Sequence, residues 1–334
     1  MVKAQEMVEL WRGGLLESTH RGHAVICDET GQILQAWGDP GRVIFPRSSA
    51  KMMQALPLIE SGAADAYGLS TAQLALACAS HEGAHMHVDL AGSWLKVLGL
   101  AEGDLRCGSH EPMDRTERDR LISGQERPCQ LHNNCSGKHS GFLTVNKHIK
   151  GGSEYIEMDH PLQKAIRTAI EEVGDEDIAG WGIDGCSAPN FATSVGSIAR
   201  AMSRYAVASE TGSVRERAMF RLSRAMAKHP ELVAGEGRAC TELMRAMQGR
   251  VALKGGAEAV YVAILPDQKM GIALKIEDGN ERASQAALVA LLVKVGALDA
   301  AHPLAQKRLP ALQKNWRGFT TGELRLAEGF APNA

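Results

Sequence analysis

The feature that most constrains the fold is the placement of strand-like segments at both ends of the 334-residue chain. Residues 7–38 contain apolar and alternating runs at 8–10, 23–27 and 33–37 around a Glu29-Thr30-Gly31 turn, which is typical of hairpins. Strand-like runs return at 251–253, 259–265 and 270–276, whereas apolar residues in between recur at helical spacing. We therefore predict an α/β (α+β) fold, in which the N- and C-terminal strands form one antiparallel sheet that a helical block covers.

The domain organisation follows from the same pattern. The chain contains no internal repeat and no linker rich in proline or serine, so we predict a single catalytic unit over residues 1–334. Its sheet comes from about 7–45 and 250–328, and its mostly helical region from about 46–249. The predicted helices are 50–60, 72–79, 87–98, 161–173, 214–227 and 281–295.

Charge and hydrophobicity exclude several classes of partner. The net charge is −2 with no long run of one sign, so nucleic acid is not expected to bind. The most apolar segment, Ala286–Leu298, contains Lys294 and is too short to span a bilayer. The first six residues lack the apolar stretch of a signal peptide, so we expect a cytoplasmic protein with no membrane partner. Seven scattered cysteines should then be thiols, and a clustered subset would indicate metal binding or catalysis.

Ser48 and Lys51 form the first candidate for catalysis. They lie three residues apart at a predicted helix start, so the Lys51 amine can approach the Ser48 hydroxyl. A serine there gains from the helix dipole, and a lysine desolvated near other cations can act as a base. In the alternative interpretation Ser48 only caps the helix and Lys51 is a solvated residue of its first turn.

Ser80 and Lys254 are two further candidates. Ser80 ends an apolar helix and precedes three histidines whose spacing matches no metal motif, so we predict that these histidines lie at the surface. Lys254 precedes Gly255-Gly256 between two predicted strands, as in the Lys-x-Gly strand of penicillin-recognising serine enzymes. A helix-end serine and a lysine before a glycine turn are the plainer alternatives. The three histidines are His81, His85 and His87.

A third group of residues has the chemistry of a metal site. Cys135 and Lys138 lie three residues apart where a polar loop runs into a helix, and Cys186 follows the Asp184-Gly185 turn. A lysine amine binds a metal only when it is neutral, which burial beside a metal ion can bring about. The alternatives are a helix-capping loop with an incidental cysteine and an ordinary Asp-Gly turn.

In combination and order, these segments resemble a known family. The chain is similar to the rhizobial-type L-asparaginases, the asparaginase II family, from about residue 8 to about 328. That resemblance implies a fold similar to serine β-lactamases and glutaminases, hydrolysis of L-asparagine to L-aspartate and ammonia, no organic cofactor, and a homodimer. The segments that carry it are Arg47–Lys51, Ala79–His81, Leu105–His110, Asn134–His139 and Gly182–Cys186.

The resemblance also assigns roles to residues. It implies two Ser-Lys tandems, Ser48 with Lys51 and Ser80 with Lys254, and a metal site usually occupied by zinc. The implied zinc ligands are Cys135, Lys138 and Cys186. Asp184 corresponds to the carboxylate that holds the substrate's α-amino group, and Arg47 is a candidate for its carboxylate.

Three other functions remain open from the sequence. The chain could be a related serine amidohydrolase that acts on glutamine or a β-lactam-like amide. It could be a non-catalytic zinc-binding module in which Ser48 is only a helix cap. It could also be a metallohydrolase that uses metal-bound water.

Overall fold

A computed structural model describes residues 2–332 of the chain. Two compact units can be distinguished: a sheet unit (2–49, 193–207 and 242–332) and a helical unit (50–192 and 208–241). That they act as a single catalytic unit stays a prediction.

The strands are β1 (Gln5–Arg12), β2 (Leu15–Cys27), β3 (Ile33–Trp37), β4 (Val43–Ile44), β5 (Gly180–Ile183), β6 (Pro189–Ser194), β7 (Ala252–Gly256), β8 (Val260–Leu265), β9 (Met270–Ile276), β10 (Leu312–Lys314) and β11 (Thr320–Leu326). The α-helices are α1 (Lys51–Gln54), α2 (Leu56–Glu60), α3 (Ala63–Ala66), α4 (Thr71–Ala77), α5 (His85–Val97), α6 (Arg115–Ser123), α7 (Ser136–Ile149), α8 (Pro161–Gly174), α9 (Val195–Val207), α10 (Val214–Lys228), α11 (Pro230–Val233), α12 (Ala239–Ala246), α13 (Glu281–Lys294) and α14 (Pro303–Gln306).

The sheet unit is built on an antiparallel sheet with the strand order β10-β11-β1-β2-β9-β8-β7, and β3 also pairs with β2. Strands from the two ends of the chain pair directly, since Val8 lies opposite Leu326 and Gly22 opposite Ile276. The predicted antiparallel sheet of N- and C-terminal strands is therefore confirmed, and the predicted helical block is present as well. Strands β3 and β9 have the bounds that the alternation predicts.

Helix α9, which packs against β9, is an element that the sequence analysis did not predict. A Cβ at Gly271 would lie 2.1 Å from the Ser203 amide nitrogen, so this strand and helix approach closely because Gly271 has no side chain. Helix α9 lies within the region predicted to be mostly helical, about 46–249, but it belongs to the sheet unit. Val195, Ile198, Met202 and Tyr205 are buried at helical spacing, a signal that was available in the sequence.

The helical unit contains the predicted helices up to residue 227, whereas the helix predicted over 281–295 is α13 of the sheet unit. The helix predicted over 50–60 is divided at Ala55 into α1 and α2, because Pro57 has no N–H to donate and its ring would clash with the preceding turn. Helices α4, α7 and α10 pack together, and Trp94 of α5 donates a 3.1 Å hydrogen bond to Thr144 of α7. None of the helices between residues 2 and 332 combines the length and apolar character needed to cross a membrane.

Candidate active site

Lys51 joins several of the predicted site residues in the helical unit. Its side chain is only 1% exposed at the start of α1. The amine donates to the Ser80 hydroxyl at 3.0 Å and to the Ala79 carbonyl, and it lies 3.1 Å from the Cys135 sulfur. The Asn134 carbonyl at 3.5 Å is a fourth and more distant partner, so the three N–H groups of an ammonium all have acceptors within reach. One buried amine thus connects Ser80 with the first of the predicted metal ligands.

Ser48 lies in a 3-10 turn, Arg47–Ala50, that leads directly into α1 and is called the Ser48 turn below. The residue is half-buried. The N-cap of α1 is Ala50, with no capping bond from its side chain, so Ser48 does not cap this helix. Arg47 has a φ of 52°, a left-handed conformation that is unfavourable for an arginine. Such strain commonly accompanies functional sites.

Within the sheet unit, strand β7 lies directly against the Ser48 turn. A Cβ on Gly256 would lie 2.6 Å from the Pro46 carbonyl oxygen, 3.0 Å from Ser49 N and 3.3 Å from Ser48 N. Two residues earlier on the same strand, Lys254 is buried and donates to the Gly255 carbonyl at 2.6 Å. The Lys-Gly-Gly strand and the turn that carries Ser48 are therefore neighbours in space.

Cys135, Lys138 and Cys186 meet in the helical unit, and all three are buried. Cys135 is the N-cap of α7 and Lys138 lies in its first turn, so both side chains lie on one face of the helix. Cys186 comes from the tight turn between β5 and β6, and its sulfur lies 3.0 Å from the Lys138 amine. Forty-eight residues of sequence separate these two side chains.

The charges within this cluster are coupled. The pKa of Cys186 lies well below its ordinary value, because Cys135 donates a hydrogen bond to its sulfur and Lys138 adds a positive charge, against the effect of burial. The same hydrogen bond, with burial, raises the pKa of Cys135. Burial lowers the pKa of Lys138, but the two cysteines outweigh it and the net shift is upward. The cluster therefore favours a Cys186 thiolate, a Cys135 thiol and a Lys138 ammonium.

The donor set of this cluster fits a zinc ion, since two sulfurs and an amine nitrogen are ligands that zinc accepts. Among residues 2–332 no three His, Cys, Asp or Glu side chains are arranged to hold a metal ion. An ion here would therefore require Lys138 as the third ligand. Binding would also displace the protons of Cys135 and Lys138.

The two predicted substrate-binding residues lie in different units. Asp184 is half-buried in the turn before Cys186, and its carboxylate accepts a 2.8 Å hydrogen bond from the Gly185 amide. It is one of the negative charges that raise the pKa of Lys138, so it lies near the Cys/Lys/Cys cluster. Arg47 immediately precedes Ser48 in the sheet unit.

The prediction that all three histidines after Ser80 lie at the surface is wrong for two of them. His81 and His87 are fully buried and their rings stack with centroids 4.8 Å apart, whereas His85 is exposed. His87 lies one helical turn before Ala91 on the buried face of α5, a spacing that could have revealed its position.

His81 connects the loop of Ser80 to the loop of Cys135. Its Nδ1 accepts a 3.1 Å hydrogen bond from the Gly83 amide, so Nε2 carries the hydrogen and lies 2.9 Å from the Ser136 hydroxyl. The backbone adds a 3.3 Å hydrogen bond from the His81 amide to the Asn134 carbonyl. The sequence analysis named His81 only within a motif and missed this role.

Comparison with protein families decides where this chain belongs. The model of the L-asparaginase II family matches residues 8–326, nearly the whole chain. The chain belongs to the L-asparaginase II family. It is therefore an enzyme of the amidohydrolase type, as predicted from its motifs, and the predicted family is confirmed. No curated protein sequence matches it.

Several solved structures are similar at low sequence identity. Mglu in its tris and glutamate form is 13% identical, with a TM-score of 0.48, over 89% of this chain and 63% of Mglu. A putative β-lactamase from Bacteroides dorei is 10% identical over 76% of this chain and 84% of that one, with a TM-score of 0.41. A β-lactamase from Mycobacterium bovis is 12% identical over 82% of this chain and 94% of that one, with a TM-score of 0.35. This chain spans less than two thirds of the length of Mglu.

Proposed function

We propose that the protein is an L-asparaginase that hydrolyses L-asparagine to L-aspartate and ammonia through a serine acyl-enzyme. Membership of the L-asparaginase II family supports this substrate class. The observation that carries the mechanism is the environment of Lys51, a buried amine three residues after Ser48 that donates to Ser80. In this proposal the enzyme acts in the cytoplasm as a homodimer.

The first half-reaction forms the acyl-enzyme. The Ser48 hydroxyl oxygen attacks the side-chain amide carbon of asparagine, and Lys51 accepts the hydroxyl proton. Lys51 then gives this proton to the departing nitrogen, and ammonia leaves as the C–N bond breaks. The Ser49 amide already donates to the Pro46 carbonyl at 3.1 Å, so we assign the oxyanion donor role to the Ser48 amide.

The second tandem manages the proton on Lys51. An amine surrounded by acceptors is suited to the ammonium form, so Lys51 must lose a proton before it can act as a base. Ser80 accepts a hydrogen bond from Lys51 and is the first group of that relay, with Lys254 as its second member. Water then attacks the ester of Ser48, and aspartate is released with the serine hydroxyl restored.

The remaining predicted residues hold the substrate and an ion. Arg47 binds the α-carboxylate of asparagine, and the Asp184 carboxylate binds its α-ammonium group. Cys135, Lys138 and Cys186 would hold a zinc ion, which when bound would supply a fixed positive charge and tie together the loops that carry its ligands. Every step of the acyl transfer is assigned to side chains of the chain itself.

The test is a comparison of Ser48→Ala with Ser49→Ala. Both variants remove a hydroxyl from the same turn, and that of Ser49 only bonds the Pro46 carbonyl at 2.7 Å. We expect Ser48→Ala to abolish ammonia release from asparagine and the acyl-enzyme mass in quenched samples, whereas Ser49→Ala keeps both. A Ser48→Ala enzyme that retains more than a few per cent of turnover would rule out the serine mechanism. Faster ammonia release from glutamine than from asparagine would rule out asparagine as the preferred substrate.

A further inference from the structure

A cysteine, a histidine and a glutamate of the helical unit lie in a row, and none of them belongs to the candidate active site. The Cys129 sulfur lies 3.4 Å from Nδ1 of His132, and Nε2 of the same ring lies 3.4 Å from a carboxylate oxygen of Glu117. Glu117 belongs to the first turn of α6, whereas His132 ends the 3-10 turn Gln130–His132 and Cys129 precedes it. A nucleophile next to a base that a third group orients is the arrangement by which activated nucleophiles are recognised.

The hydrogen bonds of His132 fix which of its ring nitrogens can take up a proton. Nδ1 accepts a 3.1 Å hydrogen bond from the Cys129 amide, so the hydrogen of the neutral ring is on Nε2. The Nε2–H group is therefore on the side of Glu117, and the lone pair of Nδ1 is on the side of the thiol. The ring is thus in the tautomer that can accept the thiol proton of Cys129.

Glu117 stabilises the imidazolium that this proton transfer creates. Its side chain is only 3% exposed, and it accepts hydrogen bonds from the Arg120 guanidinium at 2.8 and 3.1 Å. The hydrogen bond from Arg120 holds the pKa of Glu117 below its ordinary value, so this side chain is a carboxylate at neutral pH. A buried negative charge beside Nε2–H favours the doubly protonated ring of His132.

Cys129 also differs from the other cysteines in its exposure. All seven cysteines lie within residues 2–332, and Cys129 alone is half-buried, whereas the other six are buried. Burial raises the pKa of Cys27 to about 11 and that of Cys107 to about 12, which keeps these thiols protonated and unreactive. A small reagent in solution therefore has access to the sulfur that also has a base beside it.

We propose that Cys129 is a site of reversible modification by low-molecular-weight disulfides, with His132 as its base and Glu117 as the residue that orients the base. The thiol proton passes to Nδ1 of His132 as the Cys129 sulfur attacks one sulfur of the disulfide. The S–S bond breaks, its electron pair leaves with the second sulfur as a thiolate, and this thiolate takes the proton from His132. Cys129 is thereby oxidised to a mixed disulfide, and one small thiol is released.

The experiment treats the reduced, folded protein with excess oxidised glutathione at pH 7 and follows the reaction by intact mass and peptide mapping. We expect Cys129 to be the first cysteine that gains a glutathione. His132→Gln can still accept the Cys129 amide hydrogen bond but cannot take up a proton. Its Cys129 should react about 10-fold more slowly, because an unassisted thiol is only a few per cent thiolate at this pH. Glu117→Gln, which removes the charge, should also slow the reaction.

His160→Gln is the matched control, because Nδ1 of His160 also accepts a backbone amide, that of Leu162 at 3.1 Å, in the same unit. It should leave the rate at Cys129 unchanged. A variant that only loosens the fold exposes Cys129 and speeds its reaction, so instability does not explain a slower one. An equal or faster reaction in His132→Gln would overturn the proposal. Equal slowing by His160→Gln, or earlier modification of another cysteine in the wild type, would overturn it as well.

Discussion

At the scale of single residues, the candidate site depends on the hydrogen-bond partners of the Lys51 amine. A lysine that is 1% exposed must find partners for its charge, and Lys51 finds the Ala79 carbonyl, the Ser80 hydroxyl and the Cys135 sulfur. Lys51 is also the first basic residue that follows Ser48 in the sequence. Its position brings Ser80 and Cys135 to one buried positive charge.

We predict that Lys51→Arg is as inactive as Lys51→Ala. The guanidinium keeps the positive charge but cannot release a proton at a workable pH, so general base catalysis is lost. Turnover at saturating asparagine should fall by at least about 10²-fold, the lower range for removal of a general base. Asparagine binding should persist in calorimetric titrations.

Lys147→Arg is the control for this exchange, since Lys147 also donates to a carbonyl, that of Leu98 at 2.5 Å, but lies outside the site. It should keep its turnover. Near-native turnover of Lys51→Arg would show that Lys51 acts only through its charge, and the base would have to be another group.

At the scale of elements, the contact between β7 and the Ser48 turn positions Ser48, the proposed nucleophile, within the sheet unit. Gly256 has an ordinary backbone conformation, so its role is to leave space rather than to allow an unusual φ. The atoms that a Cβ would meet belong to the backbone of Pro46, Ser48 and Ser49 and cannot rotate away. The absence of a side chain at this position therefore sets the distance between the strand and the turn.

We predict that Gly256→Ala displaces the Ser48 turn. A methyl group placed 2.6 Å from the Pro46 carbonyl oxygen must push the turn or the strand aside. Overpacking of this kind costs about 1–3 kcal/mol of unfolding free energy. Misplacement of a reacting group by about 1 Å can lower the rate about 10²-fold. Urea unfolding and the separate values of kcat and KM measure the two effects.

Gly180→Ala on β5 is the matched control, because a Cβ there meets no atom within 4 Å. It should retain both stability and kcat. If Gly256→Ala loses stability but keeps native kcat, β7 supports the fold without positioning Ser48.

At the scale of the whole molecule, neutral histidines in the helical unit make stability depend on pH. Burial lowers the pKa of His81 and of His87 below the ordinary value. The unfolded chain therefore takes up protons at these positions at a higher pH than the folded protein does. Above about pH 6.5 both histidines are neutral in the folded and the unfolded protein, so the free energy of unfolding does not depend on their titration. As the pH falls below that value, proton uptake by the unfolded chain lowers the free energy of unfolding.

We predict that the free energy of unfolding falls between pH 7 and pH 5, before most carboxylates titrate. Each of the two histidines should contribute a decrease of about 1.4 kcal/mol per pH unit, until its folded pKa is reached. Urea unfolding curves at pH 7, 6 and 5 measure this slope. His87→Gln can still donate to the Glu231 carbonyl and should remove the contribution of His87. His85→Gln, at an exposed position, should leave the slope unchanged, and a flat profile for the wild type would contradict the prediction.

The sequence by itself determined the features that depend on short stretches of chain. Alternation predicted the bounds of β3 and β9, and apolar periodicity predicted α8 and α13 to within a residue or two. Spacing of three residues placed Cys135 and Lys138 on one helix face, because the pitch of a helix is a local property. Family membership followed from motifs that could be read in order along the chain.

Only the tertiary structure decided which distant groups meet. Lys51 lies against Ser80 and Cys135, although the sequence offered Ser48 as its partner. Lys138 lies against Cys186, a pairing that the family resemblance implied and that no spacing along the chain predicted. The burial of His81 was missed for the same reason. A buried polar atom takes its partner from whichever segment the packing of the core brings next to it. Such pairs join segments far apart in sequence, and local periodicity contains no information about them.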